Sequence, residues 1–318
     1  MITLHVKQAA AREALKEIAS QGGATLRFDP PGLLETATLP TVTLDCDRQS
    51  FWETLLAATE ACGLEVRTDS AGWALALPDP SGNGRRAVAS GGFLVVGQAF
   101  RHTSQRNASG AQVHVDVFPE PRLMFARDSR NMEIDRADGE NGESLLPAQL
   151  FDAVLRANGY AFTATLRSPG ETATHIARCG GVAHVAVARP HTVRYPAGRG
   201  DADLLAAKDV ALDAGDFRCV LLSTGPAGGG YETRLRVSLT TSSIELEPLV
   251  RSMQAGRLRA FDASGGPVEC KQVSINRGRD AAELRVSWGA APSRLEWDAP
   301  AETSEAAVPF TLTDLPLR

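Results

Sequence analysis

The chain is poor in the residues that announce chemistry. Aromatic residues make up 6% of its 318 positions. The five cysteines, Cys46, Cys62, Cys179, Cys219 and Cys270, contain no C-x-x-C pair, which excludes thioredoxin-like and closely spaced zinc motifs. There is no G-x-S-x-G elbow and no P-loop lysine after a glycine run. None of the six histidines forms H-E-x-x-H or another tight ligand pair. No apolar run approaches the roughly 20 residues that span a bilayer as a helix. Basic residues are not in excess: the formal charge is −5, which argues against a general nucleic-acid binder. No enzyme activity and no cofactor are expected.

What is present is material for folded cores, with 43% hydrophobic and 22% charged residues. The length predicts two or three domains. The sharpest pattern lies in residues 1–78. Ile2, Leu4 and Val6 alternate with polar residues as in a half-buried strand. Ala11, Leu15, Ile18 and Ala19 share one face of a helix that ends at Gly22-Gly23. Ala24, Leu26 and Phe28 give a second strand, stopped by Asp29-Pro30. Val42, Leu44 and Cys46 give a third. Phe51, Leu55, Ala58 and Cys62 recur at helical spacing, with Ser50 and Glu53 spaced as a capping box, or Asp47 as the cap. Residues 64–66 and 73–77 close the stretch as a hairpin. The expected order is βαββαββ, an α+β domain.

Five segments, "ITLHVKQ", "IASQGG", "ATLRFDP", "LPTVTLDC" and "SFWETLLAATEACGLEV", followed by "GWALAL", carry a resemblance. Residues 1–78 resemble the short N-terminal domain shared by secretins and TonB-dependent receptors. The resemblance implies a periplasmic or otherwise exported protein and a role in protein–protein contacts. The rest of the chain departs from that family, having neither a secretin ring region nor the length of a receptor barrel. No signal peptide is visible, because Ile2 already opens an alternating strand.

Residues 79–92 are rich in proline, glycine, serine and asparagine and read as a linker. Beyond them the helical period fades and short alternating strands follow one another, as in a β-sandwich. The stretch 146–160, "LPAQLFDAVLRANGY", reads as a short helix or an insertion at the sandwich edge. The β region also repeats itself. Phe93 and Phe217 open strands 124 residues apart, and Asp138 and Asp262 stand at turns with the same separation. The expectation is two tandem β-sandwiches of related topology, 91–200 and 201–318. The alternative is one large sandwich.

Candidate sites are few. Asp135, Asp138, Glu140, Asn141 and Glu143 crowd one loop with oxygen ligands suited to calcium, without EF-hand spacing; a solvated turn is the competing reading. Asp116 and Glu120 form a carboxylate pair near a strand end. Trp288, Trp297, Tyr195 and Tyr231 are candidates for a sugar-stacking face or for the core. Gly228-Gly229-Gly230 reads as a hairpin turn. The cysteines read as small buried hydrophobes, with Cys46–Cys62 a disulfide candidate in an oxidising compartment. The functional expectation is a non-enzymatic envelope protein that docks protein partners. Alternatives are a carbohydrate-binding or carbohydrate-processing sandwich and a cytoplasmic protein with reduced thiols.

Overall fold

The structure is a computed structural model. It describes residues 1–69, 72–80, 84–103, 109–127, 131–155, 159–196, 203–214, 217–240, 245–253, 257–278 and 280–318. Strands hold 62% of the residues and helices 13%, so the fold is mostly β and sandwich-like.

The first elements are β1 (Ile2–Ala10), α1 (Ala11–Gly22), β2 (Phe28–Asp29), α2 (Leu33–Thr36), β3 (Thr41–Gln49), α3 (Phe51–Cys62), β4 (Glu65–Asp69) and β5 (Gly72–Ala76). Next come β6 (Arg86–Ser90), β7 (Phe93–Thr103), β8 (Ser109–Pro119), β9 (Met124–Phe125), β10 (Asn131–Gly139), β11 (Gln149–Leu155), β12 (Tyr160–Arg167) and β13 (His175–Tyr195). The remainder is β14 (Val210–Ala214), β15 (Phe217–Ala227), β16 (Gly230–Leu239), α4 (Leu246–Ser252), β17 (Leu258–Phe261), β18 (Pro267–Val268), β19 (Cys270–Arg277), β20 (Ala281–Trp288) and β21 (Arg294–Pro316).

These elements form two compact units. One comprises Met1–Arg122, Ser129–Val185 and Glu305–Arg318; the other comprises Leu123–Asp128 and Ala186–Ser304. The long strands β13 and β21 each give residues to both. Sequence placed a boundary at 200/201. The compact units part at 185/186 and 304/305 instead, inside strands whose alternation has no turn signal at those points.

In the first unit, β1 and β3 pair antiparallel as a two-stranded sheet, and β2, β5 and β4 form a three-stranded one. α1 buries Ala11, Ala14, Leu15 and Ile18. α3 buries Phe51, Trp52, Leu55, Ala58 and Cys62. Ser50 and Glu53 complete the capping box of α3, satisfying two orphan amides reciprocally. The helices approach closely at Gly22, where a Cβ would stand 2.4 Å from the Phe51 ring. This core continues into Leu94, Val96 and Phe118 of the following sheet. Residues 79–92, read as a linker, contain β6, which pairs with β7 and sets Ala87 and Ala89 against the same core.

That following sheet has the order β11-β12-β8-β7-β6. Facing strands come from β10, the first half of β13 and the last half of β21. Among the described residues of the stretch 146–160 there is no short helix: Gln149–Leu155 is β11, the edge strand beside β12. A bulge between Leu150 and Asp152 interrupts the alternation and makes the spacing look helical.

In the second unit the sheet order is β14-β15-β16-β20-β19. Read backwards it repeats the first strand for strand, with β7 matching β15 and β12 matching β20. A second set, from β9, the end of β13, the start of β21, β17 and β18, completes the unit. Its core holds Cys219, Leu221, Leu235, Trp288 and Trp297. Gly228 and Gly229, at φ +56° and +81°, turn the β15–β16 hairpin, a conformation other residues adopt only at a cost.

Candidate functional site

The first unit holds a charged cleft of about 220 Å³, walled by β4, β5 and neighbouring residues. Strand alternation turns Glu65, Arg67 and Asp69 of β4 to one side, while Val66 and Thr68 are buried on the other. Asp29, Asp79, Arg85 and Arg318 complete the charged lining. Arg27 reaches Asp69 at 2.7 Å. Arg67 donates to Glu65 at 2.8 Å and to the Leu77 carbonyl at 2.7 Å, and lies 3.9 Å from Asp29. Arg318 lies 4.0 Å from Asp79. Thr68 donates to the buried Asp116 carboxylate at 2.6 Å, and Arg85 donates to both oxygens of Thr68 and to Gln98. Among the described residues its lining holds no thiol or imidazole, and the one hydroxyl there, Thr68, is tied to Asp116.

The loop proposed for calcium is arranged differently. Asp135 and Asp138 lie on β10 and the other members follow in the turn. Each carboxylate nearest the turn has a protein donor: Asp138 takes Arg136 at 2.6 Å, and Glu143 takes the Asn141 amide at 3.1 Å. Glu140 takes the Thr174 amide at 2.7 Å and its hydroxyl at 3.1 Å, and these bonds hold its carboxyl below the usual range. Among the described residues no three His, Cys, Asp or Glu side chains form a metal-holding group. The second-half turn behaves likewise: Asp262 accepts from Ser264 and Gly266 and is held low by those bonds.

Asp116 and Glu120 do not face each other as a catalytic pair. Asp116 receives Thr68, and Glu120 receives the Phe51 amide at the start of α3, at 2.9 Å. Both therefore fasten residues 1–78 to the sheet that follows. Among the histidines, His5 meets Asp45 at 2.6 Å, His175 lies 3.6 Å from Glu140 and 3.9 Å from Asp314, and His114 packs on Phe100.

No tryptophan or tyrosine is exposed. Trp52, Trp288, Trp297, Tyr160 and Tyr195 are buried, and Trp73 and Tyr231 half-buried. The clustered aromatic face that would favour carbohydrate binding is thus missing among the described residues. All five cysteines are free thiols, Cys46 and Cys62 included, and only Cys270 is exposed. Burial pushes the Cys179 and Cys219 thiols up to about 12. No helix among the described residues is long and apolar enough to cross a membrane.

Sequence reasoning missed the cleft, although the alternation Glu65-x-Arg67-x-Asp69 was a usable signal. It also missed a set of arginines on the second unit, Arg218, Arg234, Arg236 and Arg285. Their positions on alternating strands were the available sign.

Compared with protein-family models, curated proteins and solved structures, the chain matches none.

Proposed function

We propose that this is a non-enzymatic protein of the cell envelope, periplasmic or otherwise exported, that works by docking another protein through residues 1–78. The resemblance of that stretch supports the compartment. One observation carries the docking: β1 and β3 pair only with each other among the described residues, so each has an outer edge that no strand covers, although on β1 the Thr3 amide and carbonyl are held by the Gln21 side chain. An open edge offers a row of amides and carbonyls to an added strand, which gives main-chain affinity, while side chains on the same face give specificity. Thr3, His5, Lys7, Thr43 and Asp45 are among the exposed side chains there.

Photo-crosslinking from Lys7 and Thr43 of the full chain in its native host tests this reading. The expected result is one discrete protein adduct in the envelope fraction, absent from the exposed control Lys208. Adducts that are equal at all three positions, or found only in the cytoplasmic fraction, overturn it.

A further inference from the structure

The two five-stranded sheets correspond strand for strand, so their outer faces can be compared position by position. In the first unit, Leu94 stands opposite Phe118, and Val96 opposite Asp116, which stands opposite Ala161. In the second, Arg218 stands opposite Ser238, and Val220 opposite Arg236, which stands opposite Glu283. The first face seats a protein module: Leu94, Val96 and Phe118 share a core with α1 and α3, and Asp116 receives Thr68. The matching face of the second unit is exposed at Arg218, Arg236 and Arg285, with Arg234 part-exposed beside them.

We propose that this arginine face is a second docking surface, whose partner is a carboxylate-rich protein surface. Neighbouring strands are about 4.8 Å apart and alternate residues along one about 7 Å, so the four guanidiniums form a tight grid. Against them the face sets Glu232 and Glu283. Arg234 already holds Glu283, whose carboxyl is kept low by that bond and by the charges of Arg285 and Arg236. Arg218, Arg236 and Arg285 have no hydrogen bond or ion pair among the described residues. Arg234 and Arg285 moreover stand directly opposite each other. Like charges so placed weaken a sheet, a cost that an incoming anion removes. Guanidinium groups suit carboxylates because their fork accepts two parallel hydrogen bonds. The equivalent face already binds a folded module, so a protein is the partner that the duplication favours. This inference does not depend on β1, β3 or the compartment.

The test uses the full chain and labelled poly-L-glutamate as probe, with phosphatidylglycerol vesicles as a second arm. Arg236→Glu/Arg285→Glu should weaken poly-glutamate binding by about tenfold or more at low salt, and Lys208→Glu by less than about twofold. Arg285→Glu turns a like pair into an opposite one, while Arg236→Glu turns the opposite pair with Glu283 into a like one, so the two changes offset and the melting temperature should not fall by more than a few degrees. If it does, Arg236→Gln/Arg285→Gln replaces the variant and should lose binding in the same direction. Equal binding by all variants, or none by the unaltered chain, overturns the proposal. A loss seen only with vesicles overturns it in favour of a lipid surface. Self-association of the unaltered chain in sedimentation, abolished in the variant, overturns it in favour of a second copy.

Discussion

The two matched sheet faces share their strand order but not their residues, and they have opposite fates. Where the first unit has Leu94 and Phe118, the second has Arg218 and Ser238. The first pair is buried in a core that spans the helical module and its sheet; the second pair is open or half-open to solvent. The inner faces hardly differ, since Val95 and Cys219 are both fully buried. A duplicated sandwich thus keeps the residues that make it a sandwich, and its outer face is set by what covers it.

The sharpest way to break this comparison is to exchange residues across it. Leu94→Arg places an unpaired charge in a dry core and should cost more than about 4 kcal/mol, the range reserved for such defects. Urea unfolding of the full chain would read it. A shift in midpoint no larger than that of a surface substitution would mean that the helical module is not seated on Leu94.

A smaller contrast sits in the two cores. The Trp288 indole N–H donates to Thr233 at 2.9 Å, whereas that of Trp52 is buried without a hydrogen-bond partner among the described residues. Trp288→Phe removes a made hydrogen bond and leaves the Thr233 hydroxyl with Thr224 alone, while Trp52→Phe removes an unsatisfied donor. The first should therefore destabilise by about 1–2 kcal/mol more than the second, measured as the difference between their unfolding free energies. Equal costs would mean that volume, and not hydrogen bonding, decides both.

Acid titration sharpens the comparison at the outer faces. Glu283 occupies the place of Ala161. Its carboxyl lies below the ordinary range because Arg234 donates to it, with Arg285 and Arg236 adding to the effect. A carboxylate depressed in the folded state stabilises above its unfolded value, and that stabilisation is lost as pH falls through the folded one. NMR should find Glu283 titrating lower than an ordinary glutamate, and Arg234→Gln should return it upward. No movement in Arg234→Gln would break the assignment of cause.

The mildest expected effect is the reverse exchange. Arg218→Leu, on an exposed position, should change stability by no more than about 0.5 kcal/mol. Differential scanning calorimetry would show it, and a large stabilisation would mean that the side chain is covered.

Much of this arrangement was legible before the fold was known. Phe93 and Phe217 open β7 and β15, as the 124-residue offset predicts, and Ser50 with Glu53 caps α3. The face difference was also written out: "FLVV" is an unbroken apolar run, the mark of a strand buried on both sides, whereas "FRCVLL" breaks it with an arginine. The β11 bulge was not legible, because one extra residue changes the period without leaving a breaker. Nor was the double use of β13 and β21, since a strand that serves two compact units reads as one long alternation. The cleft escaped for a related reason: its lining comes from Asp29, β4, Asp79, Arg85 and Arg318, which only the folded chain brings together.

The division of β21 has a consequence in time. Residues 305–318 belong to the unit that also holds Met1, yet they follow all of the other unit in the chain. A ribosome makes the chain in that order. Unit one therefore waits, one strand short, with the edge of β13 open beside Gly180, until every residue of its neighbour has been synthesised.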